Sequence, residues 1–145
     1  MPSKLYGEFI KQSFNKEIDW DSDTIKVALL TNAYTPDQDA HNYFDDVSTH
    51  EVTGATGYTA GGNTLANKTN TYNSGTNVIV LDADDTTWAS STITARYAVI
   101  YDATPATAAT RPLIGYVDFG SDQSSSNGNF TITWDSTGIV RVTVA

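Results

Sequence analysis

The spacing of apolar positions along this chain changes near residue 20. Between Lys4 and Phe14, Leu5, Phe9 and Ser13 recur at intervals of four, with Tyr6, Ile10 and Phe14 on the adjoining stripe, a spacing that predicts a helix. Ser3 offers a capping oxygen at its start. Gly7 costs about 1 kcal/mol relative to alanine inside a helix, so the element is expected to be short and to need a surface to pack on. From Thr24 to Thr31 the period falls to two, with Ile25, Val27 and Leu29 on one face and Lys26 and Ala28 on the other, and this predicts a strand.

Asn32 to Asp46 carries Pro36, four Asp, His41 and Asn42, and reads as a loop with at most one helical turn near His41 to Phe44. Glu51-Val52 and Tyr58 to Ala60 read as short extended pieces among Gly54, Gly57, Gly61 and Gly62. Strands are predicted over Asn77 to Leu81, Thr92 to Tyr101, Pro112 to Phe119, Asn129 to Trp134 and Gly138 to Val144, each bounded by turn residues. Asp135 to Gly138 between the last two suggests a hairpin. Many short strands without long helical windows predict an all-β fold, an antiparallel β-sandwich or jelly-roll-like barrel with a short N-terminal helix.

Composition agrees with that class. Among 145 residues there are 22 Thr, 8 Tyr, 5 Phe and 3 Trp, side chains that suit a pleated, half-buried surface. A chain of this length removes roughly 68 to 70% of its unfolded surface from water, enough for one core, so residues 1–145 are expected to form one sandwich domain with residues 1–18 as a helical N-terminal arm. With no Cys, neither a disulfide nor a thiolate zinc site can contribute to stability.

The net charge of −9 disfavours nucleic acid, because duplex affinity depends on Lys and Arg displacing counterions, and it disfavours anionic membranes for the same reason. No apolar run approaches the roughly 20 residues that span a bilayer, and Met1-Pro2-Ser3-Lys4 lacks the apolar core of a secretory signal. A protein made and kept in a cytoplasm is expected.

Candidate chemistry is sparse. Asp82, Asp84 and Asp85 form one acidic group and Asp37, Asp39, Asp45 and Asp46 another; paired carboxylates can hydrolyse glycosides when held about 5 to 9.5 Å apart. The competing reading is that both groups satisfy loop amides at turns. Asp82-Ala-Asp-Asp85 lacks the spacing, Gly and terminal Glu of an EF-hand loop. His41 and His50 have no recognisable third zinc ligand. No Gly-x-Ser-x-Gly elbow or phosphate loop occurs, and the sequons at Asn67 and Asn129 carry little weight without a signal peptide. No catalytic residue, metal or cofactor is predicted.

Aromatic residues are the remaining candidates. Tyr97, Tyr116, Phe119, Phe130 and Trp134 lie on predicted strands and, with Trp88, are expected in the core, whereas Tyr34, Tyr43, Phe44, Tyr58 and Tyr72 lie in predicted loops, where aromatics can stack on sugars or anchor a protein interface.

Several segments together carry a resemblance: Asp19 to Thr31, Tyr34-Thr-Pro36, Glu51-Val52 with Gly57 to Gly62, and Ala83-Asp-Asp85 with Thr87-Trp88. They continue with Arg96 to Asp102, Pro112 to Phe119 and Phe130 to Asp135. Through nearly its whole length the chain resembles small virion structural proteins of tailed bacteriophages, most of all capsid decoration, or cement, proteins. The resemblance implies a subunit made in the host bacterial cytoplasm that binds the outer surface of the head, with the major capsid protein as partner and a homotrimer, or else a dimer, as its own assembly. It also implies an interface, for which Leu5, Tyr6, Phe9 and Ile10 of the arm and Tyr34, Tyr43, Phe44 and Tyr58 of the loops are the candidates. The alternative for the arm is that it covers one end of its own sandwich. The alternative function is a tail or baseplate module that binds host-surface glycan through the loops from Tyr34 to Tyr72.

Overall fold

A computed structural model describes residues 3–144. Among them are ten strands: β1 Ser3–Leu5, β2 Ile25–Leu30, β3 Asn63–Thr64, β4 Thr69–Asn73, β5 Val78–Asp82, β6 Thr86–Ser91, β7 Thr94–Asp102, β8 Leu113–Ser124, β9 Gly128–Ile132 and β10 Val140–Thr143. Two short helices, α1 Phe9–Phe14 and α2 Asp45–Ser48, and one 3-10 turn at Ala108–Thr110 complete the order. Pairing is antiparallel throughout. A five-stranded sheet runs β1-β8-β7-β2-β3, a three-stranded sheet β10-β5-β4, and β6 pairs with β9. The fold is an all-β antiparallel sandwich with no closed barrel.

Alternation along β2 and β7 explains why both faces of the large sheet are buried. Ile25, Val27 and Leu29 of β2 join Ala98 and Ile100 of β7 in a core with Trp88, Phe130, Leu81 and Val140 of the smaller sheets. On the opposite face Ala28 and Leu30 join Val99 and Tyr101, and these are covered by Tyr6, Tyr34, Phe44 and Val47. The predicted core aromatics divide accordingly: Trp88 and Phe130 are buried in the sandwich, Phe119 and Trp134 pack half-buried against it, and Tyr97 and Tyr116 lie on the other face.

Four expectations about local structure are corrected. The helix expected from Lys4 begins only at Phe9, and the chain enters as strand β1, which pairs with β8 through Lys4 opposite Tyr116. Available sheet edge outweighs the helical spacing: Tyr6 N–H donates to Ile114 O at 3.1 Å and Gly7 N–H to Gln38 O at 2.8 Å, and Ser3 does not cap α1. Glu51 makes only an isolated bridge to Leu30, and Tyr58 to Ala60 lie in turns. The polar strand β4, exposed throughout, and β6 were not expected. Finally, β9 and β10 are not a hairpin, since β9 pairs with β6 and β10 with β5.

The crossing between those two sheets depends on Gly138, at φ +106°, where a Cβ would collide with Val80 Cγ1. Gly62 has a similar role at φ +74°: its backbone approaches Val27 so closely that a Cβ would overlap the Val27 carbonyl. Met1, Pro2 and Ala145 lie outside the described residues.

Candidate interaction surface

Of the eight residues expected at an interface, four face inward. Tyr6, Phe9, Tyr34 and Phe44 are buried within their own chain, Tyr34 to 1% exposure. Their burial follows from how the loop is held down. Tyr6 and Tyr34 hydroxyl oxygens lie 2.8 Å apart and Tyr34 Oη lies 3.0 Å from His41 Nδ1, a chain of hydrogen bonds that fastens loop to sheet. Phe44 stacks on Tyr101 with ring centroids 4.0 Å apart and planes 11° from parallel. Burial raises the pKa of Tyr6 far above that of a free phenol and pushes that of Tyr34 up to about 12, so both are neutral hydrogen-bonding groups.

Tyr43 and Tyr58 are half-buried. Tyr43 donates to Glu17 Oε2 at 3.2 Å, and Tyr58 donates to Glu51 Oε1 at 2.6 Å while accepting the Leu29 N–H at 3.0 Å. Glu51 also accepts from Gly61 N–H, so this carboxylate organises the glycine turn against the sheet. Burial first and then Glu51 raise the Tyr58 pKa strongly. These tyrosines brace loops, and Tyr72, on β4, is the one of the five aromatics expected in loops that is exposed.

Four of the acidic residues are likewise occupied within the chain, while Asp82 Oδ1 is buried with no hydrogen-bond partner among the described residues. Asp37 Oδ1 accepts the amides of Asp39 and Ala40, which hold its carboxyl below the usual range, and Asp46 Oδ2 accepts those of Asn42 and Tyr43. Asp84 Oδ2 accepts from Asn67 Nδ2 at 2.6 Å and Asp85 Oδ1 from Trp134 N–H at 2.9 Å. Among the described residues no group of three or more His, Cys, Asp or Glu is placed to hold a metal ion.

Among the described residues the most exposed large apolar side chain lies on the outer face of α1. One side of this helix buries Phe9 and Gln12, while Ile10, exposed to 37%, and Phe14, exposed to 82%, stand one turn apart on the other. Residues at i and i+4 share a helix face, so the two form one apolar patch. Its flank carries the Lys11–Glu8 ion pair at 2.7 Å, with Lys16 and Glu17 in the turn that follows. Leu5, the last of the expected arm residues, is half-buried against the sandwich core.

The alternating stripes of the sequence thus identify the helical segment but not which stripe faces out. Phe14 belongs to the amphipathic pattern but is not an interface candidate on sequence alone, because its exposure depends on where Tyr6 and Phe9 find a core. Among the described residues no helix is long and apolar enough to cross a membrane. No protein-family model, no curated protein and no solved structure matches this chain.

Proposed function

We propose that this chain is a bacteriophage virion structural protein, a decoration subunit that binds the outside of the assembled head and stabilises its lattice. The observation that supports this reading best is the α1 face: a phenylalanine left 82% exposed beside Ile10, on a helix otherwise anchored in its own core. Burying one such side chain in a partner contributes about 1.5–3 kcal/mol. Small contacts of this size act collectively when repeated over a symmetric shell, and a subunit that binds only the assembled state stabilises it by mass action. The surplus of negative charge keeps such a subunit away from packaged DNA.

The major capsid protein is the partner in this reading, and self-association into a trimer is its accompanying expectation. The glycan-binding alternative receives little support from the loops, whose Tyr34 is buried and whose Tyr43 and Tyr58 hydroxyls are committed to Glu17 and Glu51. Immunogold labelling or cryo-EM of intact virions tests the proposal. Label over the head surface, lost with Phe14→Ala, is the expected result; label confined to the tail tip overturns it. Particles without the subunit should release DNA at a lower temperature.

A further inference from the structure

One side of the sandwich is open. A groove of about 410 Å³ lies between β1, at the edge of the five-stranded sheet, and the stretch from Thr133 to Arg141 that ends in β10, the edge of the three-stranded sheet. Its wall includes Ile100 and Val117 of the core together with Trp134 and Ile139.

Backbone direction at the two edges can be read from the pairing. Tyr6 donates to Ile114, so the hydrogen-bonding groups of Lys4, two residues earlier, also face β8, and those of Ser3 and Leu5 face away from it. On the other side Val144 donates to Asn77, so Val142 and Val140 face β5, and the N–H and C=O of Arg141 point outward. Among the described residues, two sheet edges therefore present unpaired backbone groups along a single groove of mixed polar and apolar lining, the arrangement that accepts an added strand.

Charge narrows the guest. In a chain with 17 acidic and 8 basic residues, both charged cations lining this groove, Lys4 and Arg141, make no ion pair or side-chain hydrogen bond among the described residues. The one acid there, Asp135, is turned onto Thr137, whose hydroxyl and amide it accepts at 2.6 and 2.8 Å. We infer that the groove between β1 and β10 is a strand-acceptor site for an extended, acidic polypeptide segment of a partner protein, whose backbone pairs with the sheet edges and whose carboxylates meet Lys4 and Arg141. This site is separate from the α1 face and stands or falls independently of the virion assignment.

Selection of a random dodecapeptide library on the full-length chain tests it. Selected peptides are expected to alternate apolar residues with Asp or Glu, and to slow amide hydrogen exchange at Leu5 and Arg141 at least 10-fold. The double variant Lys4→Glu, Arg141→Glu should lose at least 10-fold in affinity while keeping the parent Tm. Arg141→Ala should weaken binding through charge alone, and Arg141→Pro, which also removes an outward N–H, should weaken it further. The inference is overturned if selection yields nothing above the bare support, if basic peptides bind as well as acidic ones, or if protection appears at other strands.

Discussion

Against one face of the five-stranded sheet lie two smaller sheets, and against the other lies the loop from Tyr34 to Val47. The first face is packed largely with aliphatic residues and Trp88, and its covering strands satisfy their own backbone in ladders. Irregular chain has no ladder, so the second face needs additional polar groups. There Asp37 and Asp46 accept loop amides, Tyr6, Tyr34 and His41 form a hydrogen-bonded chain, and Tyr101 donates to Gly61 O at 2.7 Å. A loop can close a sheet face as completely as strands do, but it requires side-chain hydrogen bonds in place of backbone ones.

The largest effects should come from truncating the anchor of each face. Trp88→Ala, which leaves a cavity between sheets, is expected to cost about 5 kcal/mol, and Phe44→Ala, beneath a loop better able to collapse, about 3 kcal/mol. Urea denaturation measures both, and a larger loss for Phe44 would reverse the contrast. Tyr34→Phe keeps the ring and strands the Tyr6 hydroxyl, at about 1–3 kcal/mol, which a urea melt of the variant measures.

A third expectation concerns pH. Asp102, buried at the end of β7, has its pKa pushed up to about 6 by burial and then by the neighbouring Asp23 carboxyl, and among the described residues its Oδ2 has no hydrogen-bond partner. Because the folded state holds this proton more tightly than the unfolded chain, the contribution is fully present below about pH 4 and is lost as pH rises through 6. Thermal melts should show Asp102→Asn gaining on the parent between pH 4 and 7; a constant difference would contradict this. The smallest effect is expected for Phe14→Ala, within about 0.5 kcal/mol of the parent in stability, since the side chain touches no core. A substantial loss would mean that α1 is braced by its outer face.

Strands with strong alternation were legible. Ile25, Val27 and Leu29 were assigned to one face, and the long β7 and β8 fell where their apolar residues recur. Long-range pairing was not legible: Asn129 to Trp134 and Gly138 to Val144 are separated by a turn-like sequence, yet each pairs with a strand distant in the chain. β4, with the sequence Thr-Asn-Thr-Tyr-Asn, has no apolar signal and exists because β5 offers it an edge. Four of the eight expected interface residues, Tyr6, Phe9, Tyr34 and Phe44, face inward for a related reason. Loop position suggests exposure, and nothing local to Tyr34 or Phe44 announces that both faces of the sheet need covering.

By itself the sequence determined the class: a cysteine-free, acidic, Thr-rich chain whose period-two segments could only be strands, preceded by one short helical segment. Side-chain period is a property of a residue and its near neighbours, so it can be read along the chain. Tertiary structure alone decided which tyrosines became core, why Phe14 was left in solvent, and that β1 and β10 end as two open edges on either side of a groove. Those outcomes depend on contacts between residues far apart in sequence, where burial and unpaired backbone are settled only when every strand has found its partner.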